Sequence, residues 1–133
     1  MLRAKDIMTE EVISVKKDVP IFEAVELLTK NEITGVPVVE DDMTLVGILT
    51  EKDVLKLFYA SKDVENETVN DFMTQPAVHF DENESLPDVC GCLMKNLFRR
   101  VPVTSKGKVV GIVSRPDILE YILRLKREEA GTG

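Results

Sequence analysis

The residues of this chain best suited to chemistry come in two matching sets. Thr50-Glu51-Lys52-Asp53 and Ser114-Arg115-Pro116-Asp117 each place a hydroxyl three residues ahead of a carboxylate. At a helix start that spacing makes a capping box, in which hydroxyl and carboxylate satisfy backbone N–H groups reciprocally and the acidic group complements the helix dipole. The same groups have a second use. Both boxes follow a glycine and two apolar residues, Gly47-Ile48-Leu49 and Gly111-Ile112-Val113. Each carboxylate therefore stands where a strand stops and a helix opens toward solvent, a crevice of the kind that holds nucleotides in other folds. There an aspartate can accept two hydrogen bonds from a vicinal diol such as that of ribose, while the hydroxyl donates to a phosphate. Gly47 and Gly111 either permit a close approach to a ligand or mark a bulge or turn.

The alternative of acid–base catalysis by Asp53 and Asp117 is weak, so the chain is not expected to be an enzyme. His79 is the sole histidine, no nucleophile–base pair accompanies the carboxylates, and a capping carboxylate stays ionised. No metal site is expected either. Cys90 and Cys92 are two residues apart in a helical pattern, which turns their side chains roughly 200° from one another. Without a second cysteine pair or more histidines a zinc site lacks ligands, and the thiols fit a reducing compartment.

The elements that must position the boxes are themselves duplicated. Asp6-Ile7-Met8-Thr9 matches Asp71-Phe72-Met73-Thr74, Lys30-Asn31 matches Lys95-Asn96, and Val36-Pro37-Val38 matches Val101-Pro102-Val103, all at an offset of 65 residues. After the loop around Asp41-Asp42-Met43 the offset is 64, from Gly47 to Gly111. A solvent-facing turn tolerates that one extra residue. Each copy reads strand, helix, strand, strand, helix. Val12-Ile13-Ser14-Val15 forms a short strand, Asp18 offers an N-cap, and Pro20 fits the first turn of a helix. Ile21, Ala24, Val25 and Leu28 then recur at helical spacing, as do Leu86, Val89, Cys90, Leu93 and Leu97 in the second copy. Hairpins follow in both copies, with Glu40-Asp41-Asp42-Met43-Thr44 and Ser105-Lys106-Gly107-Lys108 as their turns. Proline in the first strand of each hairpin predicts an edge position or an early strand residue. The closing helices carry Val54, Leu55, Leu57 and Phe58 in one copy and Ile118, Leu119, Ile122 and Leu123 in the other. A polar connector runs from Ser61 to Thr68, and Ala130-Gly131-Thr132-Gly133 is expected to fray.

Two copies of about 60 residues would each be marginal alone, so each should bury its apolar face against its twin, giving one pseudo-symmetric body with a shared core. The 133 residues carry a formal net charge of -7, and no basic run exceeds Arg99-Arg100. That disfavours non-specific binding to nucleic acid or an anionic membrane, yet leaves room for a small anionic ligand held by a few local donors. No signal peptide and no membrane-spanning segment are expected, and the location is expected to be cytoplasmic.

The ordered pattern D-I-M-T, Val-Pro-Val strand and G-h-h-[ST]-x-x-D, twice over from about Ala4 to Leu125, resembles the CBS domain family, and the tandem resembles a stand-alone Bateman module. The resemblance implies an α+β fold of tandem β-α-β-β-α repeats, residues 1–62 and 63–133, packed about a pseudo-two-fold axis. It implies two clefts between the repeats for adenosine derivatives such as AMP, ADP or ATP. One cleft would combine Ile48, Thr50 and Asp53 with Pro76, Ala77 and Val78. The other would combine Ile112, Ser114 and Asp117 with Thr9, Val12 and Ile13. The strand motifs Val36-Pro37 and Val101-Pro102 are implied ligand neighbours as well. Apolar members would sandwich the base, although Val12, Ile13 and Val78 read equally as half-buried strand residues. Arg99 and Arg100 stand where family members carry phosphate-reaching basic residues; the first copy has Thr34-Gly35 there, which makes phosphate affinity unequal between the clefts. His79 is placed to stack near a base or to face solvent.

The function so implied is regulatory and non-catalytic, with no cofactor beyond the nucleotide. A homodimer and a regulated enzyme or transporter are the implied partners. The alternatives are a sensor of S-adenosylmethionine and an interaction module with empty clefts.

Overall fold

In the computed structural model, which describes residues 2–59, 64–95 and 99–132, each copy's opening helix lies in the core built by the other copy. The first copy contributes α1 (Ala4–Ile7), β1 (Val15–Lys16), α2 (Ile21–Lys30), β2 (Gly35–Val39), β3 (Leu45–Thr50) and α3 (Glu51–Val54), with a 3₁₀ turn over Leu55–Tyr59. A 3₁₀ turn at Val64–Asn66 leads to α4 (Val69–Phe72), β4 (Phe80–Asp81), α5 (Leu86–Lys95), β5 (Arg100–Ser105), β6 (Lys108–Ser114) and α6 (Arg115–Thr132). The fold is thus mixed helix and sheet, with two three-stranded sheets in the orders β1-β2-β3 and β4-β5-β6.

The chain divides into two compact bodies. One, the Asp53 body, consists of Ile13–Val78 with Gly107–Val109; the other, the Asp117 body, consists of the described residues of Met1–Val12, His79–Lys106 and Val110–Gly133. In the Asp53 body, Val69 and Phe72 of α4 are buried with Ile21, Ala24, Leu28, Val36, Val38 and Leu49. In the Asp117 body, Ala4 and Ile7 of α1 are buried with Phe80, Val89, Leu93, Val101, Val103 and Val113. In place of the single shared core expected for the pair there are two, each holding one short helix from the other copy. Burying a side chain such as Ile7, Val69 or Phe72 contributes about 1.5–3 kcal/mol, which helps dock a four-residue helix that has no stability of its own.

Local chemistry sets the ends of these elements. Asp6 and Asp71 fold back on their helix starts, accepting from the backbone N–H groups of Arg3 at 2.7 Å and Thr68 at 2.8 Å. The second hairpin turns through Lys106 and Gly107 at φ 53° and 80°, the left-handed pair that matches strand twist. In the first hairpin Asp42 accepts from the Thr44 N–H at 3.0 Å, and Met43 takes the positive φ.

Several elements depart from the sequence reading. The prolines lie in central strands: β2 and β5 each have neighbours on both sides. The missing N–H is tolerated because β1 pairs with β2 only from Val38 onward and β4 with β5 only from Val103 onward. Opposite Pro37, Ile48 exchanges both backbone hydrogen bonds with Thr74 and so turns away from β2. At the start of α2 the N-cap position belongs to Pro20, whose carbonyl accepts from Glu23 and Ala24, and Asp18 does not cap it. The strand expected over Val12–Val15 shortens to Val15–Lys16. Helix α6 continues through Thr132 where fraying was expected, since Arg124–Ala130 is composed almost wholly of strong helix formers. The boundary at 62/63, the first residues of the connector, and the Asn96, Leu97 and Gly133 readings lie outside the described residues.

Candidate functional site

Both boxes cap helices as their spacing requires. In the Asp53 body the Thr50 N–H and hydroxyl donate to Asp53 Oδ2 at 2.9 and 3.0 Å, and the Asp53 N–H donates back to Thr50 Oγ1 at 3.3 Å. In the Asp117 body the Ser114 N–H and hydroxyl both donate to Asp117 Oδ2 at 2.8 Å, with the return bond at 3.3 Å. The other carboxylate oxygen is engaged from the opposite copy. Thr74 Oγ1 donates to Asp53 Oδ1 at 2.8 Å, and Thr9 Oγ1 donates to Asp117 Oδ1 at 3.1 Å.

These two threonines are carried to the boxes by backbone pairing. Thr9 exchanges both backbone hydrogen bonds with Ile112, at 2.8 and 2.9 Å, and Thr74 does the same with Ile48, at 3.0 and 2.8 Å. The glycines preceding those isoleucines make room. A methyl group on Gly47 would lie 2.7 Å from the Thr74 carbonyl oxygen, and one on Gly111 would fall on the Met8 thioether. The close approach foreseen at these glycines is thus occupied by the chain's own Asp-x-Met-Thr segments.

In the Asp53 body, Ile48, Thr50 and Asp53 lie together with Thr74, and the same body holds Pro76, Ala77 and Val78. Pro76 and Val78 are exposed, Ala77 is buried and Asp53 is 4% exposed. In the Asp117 body, Ile112, Ser114 and Asp117 lie together with Thr9, and Val12 belongs to that body; Val12 and Asp117 are half-buried. Ile13 belongs to the Asp53 body and packs against its core. Val36, Pro37, Val101 and Pro102 are buried strand residues, which places their side chains in or under the sheets. Arg99 and Arg100 are exposed, and the Arg99 carbonyl accepts from the Arg115 N–H at 3.3 Å at the start of α6. Thr34 makes the matching bond to the Glu51 N–H at 2.9 Å. His79 is exposed.

Sequence reasoning missed Thr74 although it included Thr9; the repeated D-x-M-T motif was the signal that predicts both. It also passed over Glu51 and Arg115, which hold the same position in the two boxes with opposite charge. Lys56, whose ammonium lies 3.5 Å from Asp53 Oδ1, was missed too. Among the described residues no cluster of His, Cys, Asp and Glu is gathered around a point that could hold a metal. No described helix is long and apolar enough to cross a membrane.

A paired arrangement of exchanged Asp-x-Met-Thr segments and [ST]-x-x-D boxes on two small sheets defines a recurrent class of tandem module, and comparison with known proteins gives its identity. The CBS domain model matches residues 4–60 and 69–124, and the chain belongs to that family. It is 35% identical over 118 residues to the uncharacterized protein MJ1225 of Methanocaldococcus jannaschii, covering 89% of this chain and 42% of that protein. The crystal structure of CBSX2 in complex with AMP, a protein of Arabidopsis thaliana, matches with a TM-score of 0.83 at 30% identity, covering 95% of this chain and 99% of that one. The CBS domain pair of protein MJ0100, solved in complex with 5′-methylthioadenosine and S-adenosyl-L-methionine, matches with a TM-score of 0.75 at 29% identity, over 92% of this chain and 96% of that one. The chain spans 42% of MJ1225 and 60% of full-length CBSX2, less than two thirds of either.

Proposed function

We propose that this chain is a non-catalytic regulatory module that binds adenine nucleotides, with Asp53 and Asp117 as ribose-gripping groups. The observation that carries the reading is the repeated arrangement around each carboxylate: one box from one sequence copy, one threonine from the other, both hydrogen-bonded to the same aspartate. A ligand seated there touches both copies at once. Binding can then shift an equilibrium of the module by the difference in affinity between its states, and by no more. Support comes as well from the AMP bound by CBSX2. Ile48, Ala77 and Val78 on one side, and Ile112 and Val12 on the other, supply apolar surface for a base. Val36, Pro37, Val101 and Pro102 belong to the sheets that carry the boxes, Pro76 leads into the segment beside Asp53, and Ile13 follows Val12 in the chain.

A second reading, in which the ligand is S-adenosylmethionine or a thioadenosine, draws on the MJ0100 pair. It keeps the same ribose contact and changes only the charge beyond it.

Homodimerisation completes the picture. Leu119, Ile122 and Leu123 recur at i, i+3 and i+4 along α6 and are 62%, 54% and 55% exposed, an apolar stripe that another copy of the chain would cover. The downstream partner is read as an enzyme or transporter in the cytoplasm.

A thermal-shift panel of AMP, ADP, ATP and S-adenosylmethionine tests the reading. At a hundredfold excess over Kd a true ligand adds about 2.7 kcal/mol of stability. AMP, ADP or ATP should raise the melting temperature. A rise with S-adenosylmethionine alone selects the second reading, and no shift with any of the four refutes both.

A further inference from the structure

The same outward pattern follows both boxes. Leu55, Phe58 and Tyr59, two, five and six residues past Asp53, are 58%, 85% and 91% exposed, and Leu119, Ile122 and Leu123 stand at the same intervals past Asp117, exposed as well. The first set lies on the 3₁₀ turn after α3 and the second on α6. Apolar patches of this kind mark surfaces that another molecule covers.

The charges at the two patches are opposite. Glu51 and Arg115 stand one turn before Leu55 and Leu119, Lys56 and Glu120 directly after them, and all four are exposed. The places are equivalent in structure: the Glu51 and Arg115 N–H groups donate to the Thr34 and Arg99 carbonyls at 2.9 and 3.3 Å. Arg115 gives one guanidinium nitrogen to the Leu93 carbonyl at 3.4 Å and has further donors on its fork. Lys56 lies 3.5 Å from Asp53, with its side chain 60% exposed.

A second copy of the chain can lay the like patch or the unlike patch on each of these, with the two elements running the same way or opposite ways. Like patches running the same way bring Glu51 to Glu51 and Lys56 to Lys56, and both pairs repel. In either opposed arrangement Glu51 and Arg115 face the apolar far ends of the stripes, where they lose water without gaining a partner. Unlike patches running the same way bring Glu51 to Arg115 and Lys56 to Glu120, and the apolar side chains still cover one another. Complementary signs of this sort fix the register of an interface and disfavour the alternatives. In a two-fold dimer the contact is made twice.

We infer that two copies of the chain pair unlike patch to unlike patch, the 3₁₀ turn after α3 of one chain lying along the start of α6 of the other in the same direction. The inference rests on the homodimer reading above and gives it a surface and a register.

Zero-length carbodiimide cross-linking of a mixture of isotope-labelled and unlabelled wild-type chain, read by mass spectrometry, tests it. The expected product joins Lys56 of one chain to Glu120 of the other. Sedimentation equilibrium then reads the charges. Glu51→Arg alone and Arg115→Glu alone should each weaken the dimer by about tenfold or more, and the two together in one chain should restore it, which no pairing of like patches would do. A dimer that lacks the Lys56–Glu120 product, or whose affinity the single reversals leave unchanged or the joint reversal fails to restore, would overturn the inference while leaving the homodimer in place. A wild-type chain that stays monomeric at every concentration would sink both.

Discussion

The Asp53 and Asp117 boxes begin from the same local chemistry and diverge through their neighbours. Around Asp53 a lysine one turn on, a threonine at 2.8 Å and near-complete burial leave a carboxylate that holds the structure together. Around Asp117 a longer threonine contact, a glutamate in the lysine's place and two exposed arginines at the start of β5 leave a carboxylate that is only half-buried. Duplication supplies two similar capped frames, and a handful of substitutions beside each box gives them different surrounding charge.

The largest expected difference between the two frames is in ligand affinity. Asp117→Ala should weaken AMP by about a hundredfold, the cost of roughly 2.7 kcal/mol of ribose hydrogen bonding, and Asp53→Ala by far less; titration calorimetry on the two variants makes the contrast, and equal losses would erase it. Stability should move the other way. Asp53→Ala removes a cap and leaves the half-buried Thr50 donors without their acceptor, at about 2 kcal/mol, whereas Asp117→Ala costs about 1 kcal/mol. Urea unfolding curves would show whether that order is reversed.

The glycines separate the frames by a smaller margin. Gly47→Ala presses on the backbone carbonyl of Thr74, while Gly111→Ala presses on the side chain of Met8. The first is expected to cost about 2 kcal/mol and the second about 1 kcal/mol, within the usual range for overpacking; matched melting curves would expose an inverted ranking. Smallest of all is Lys56→Ala. Its ion pair is long and the lysine end exposed, so stability should change by less than about 1 kcal/mol. Removing the ammonium should nevertheless free one acceptor position on Asp53 and add weak adenosine binding, which calorimetry at high ligand concentration would detect. Unchanged binding would show that burial alone closes the box.

Much of this was legible in the residues. The duplication, the hairpins and the two capping boxes were readable because each depends on contacts within a few residues, and local spacing encodes those directly. The exchange of α1 and α4 between cores was not. Ala4 and Ile7, or Val69 and Phe72, present an apolar face that fits either copy, and nothing in a four-residue helix says which one it meets. Thr74 is different: the repeated D-x-M-T motif marks it together with Thr9, and only its bond to Asp53 needed the fold. The central placement of Pro37 and Pro102 escaped because it depends on β1 and β4 being only two residues long and pairing beyond the prolines. The charge contrast between Glu51 and Arg115 was visible in the sequence and acquires meaning only once both are seen to take the same backbone bond, to Thr34 and Arg99.

A crystal structure of the chain grown with AMP tests this division of labour most directly. Nucleotide should lie with its ribose hydroxyls on Asp117 and its phosphate toward Arg99 and Arg100, at higher occupancy than any nucleotide on the more buried Asp53. A nucleotide seated on Asp53, with Asp117 holding only water, would contradict it.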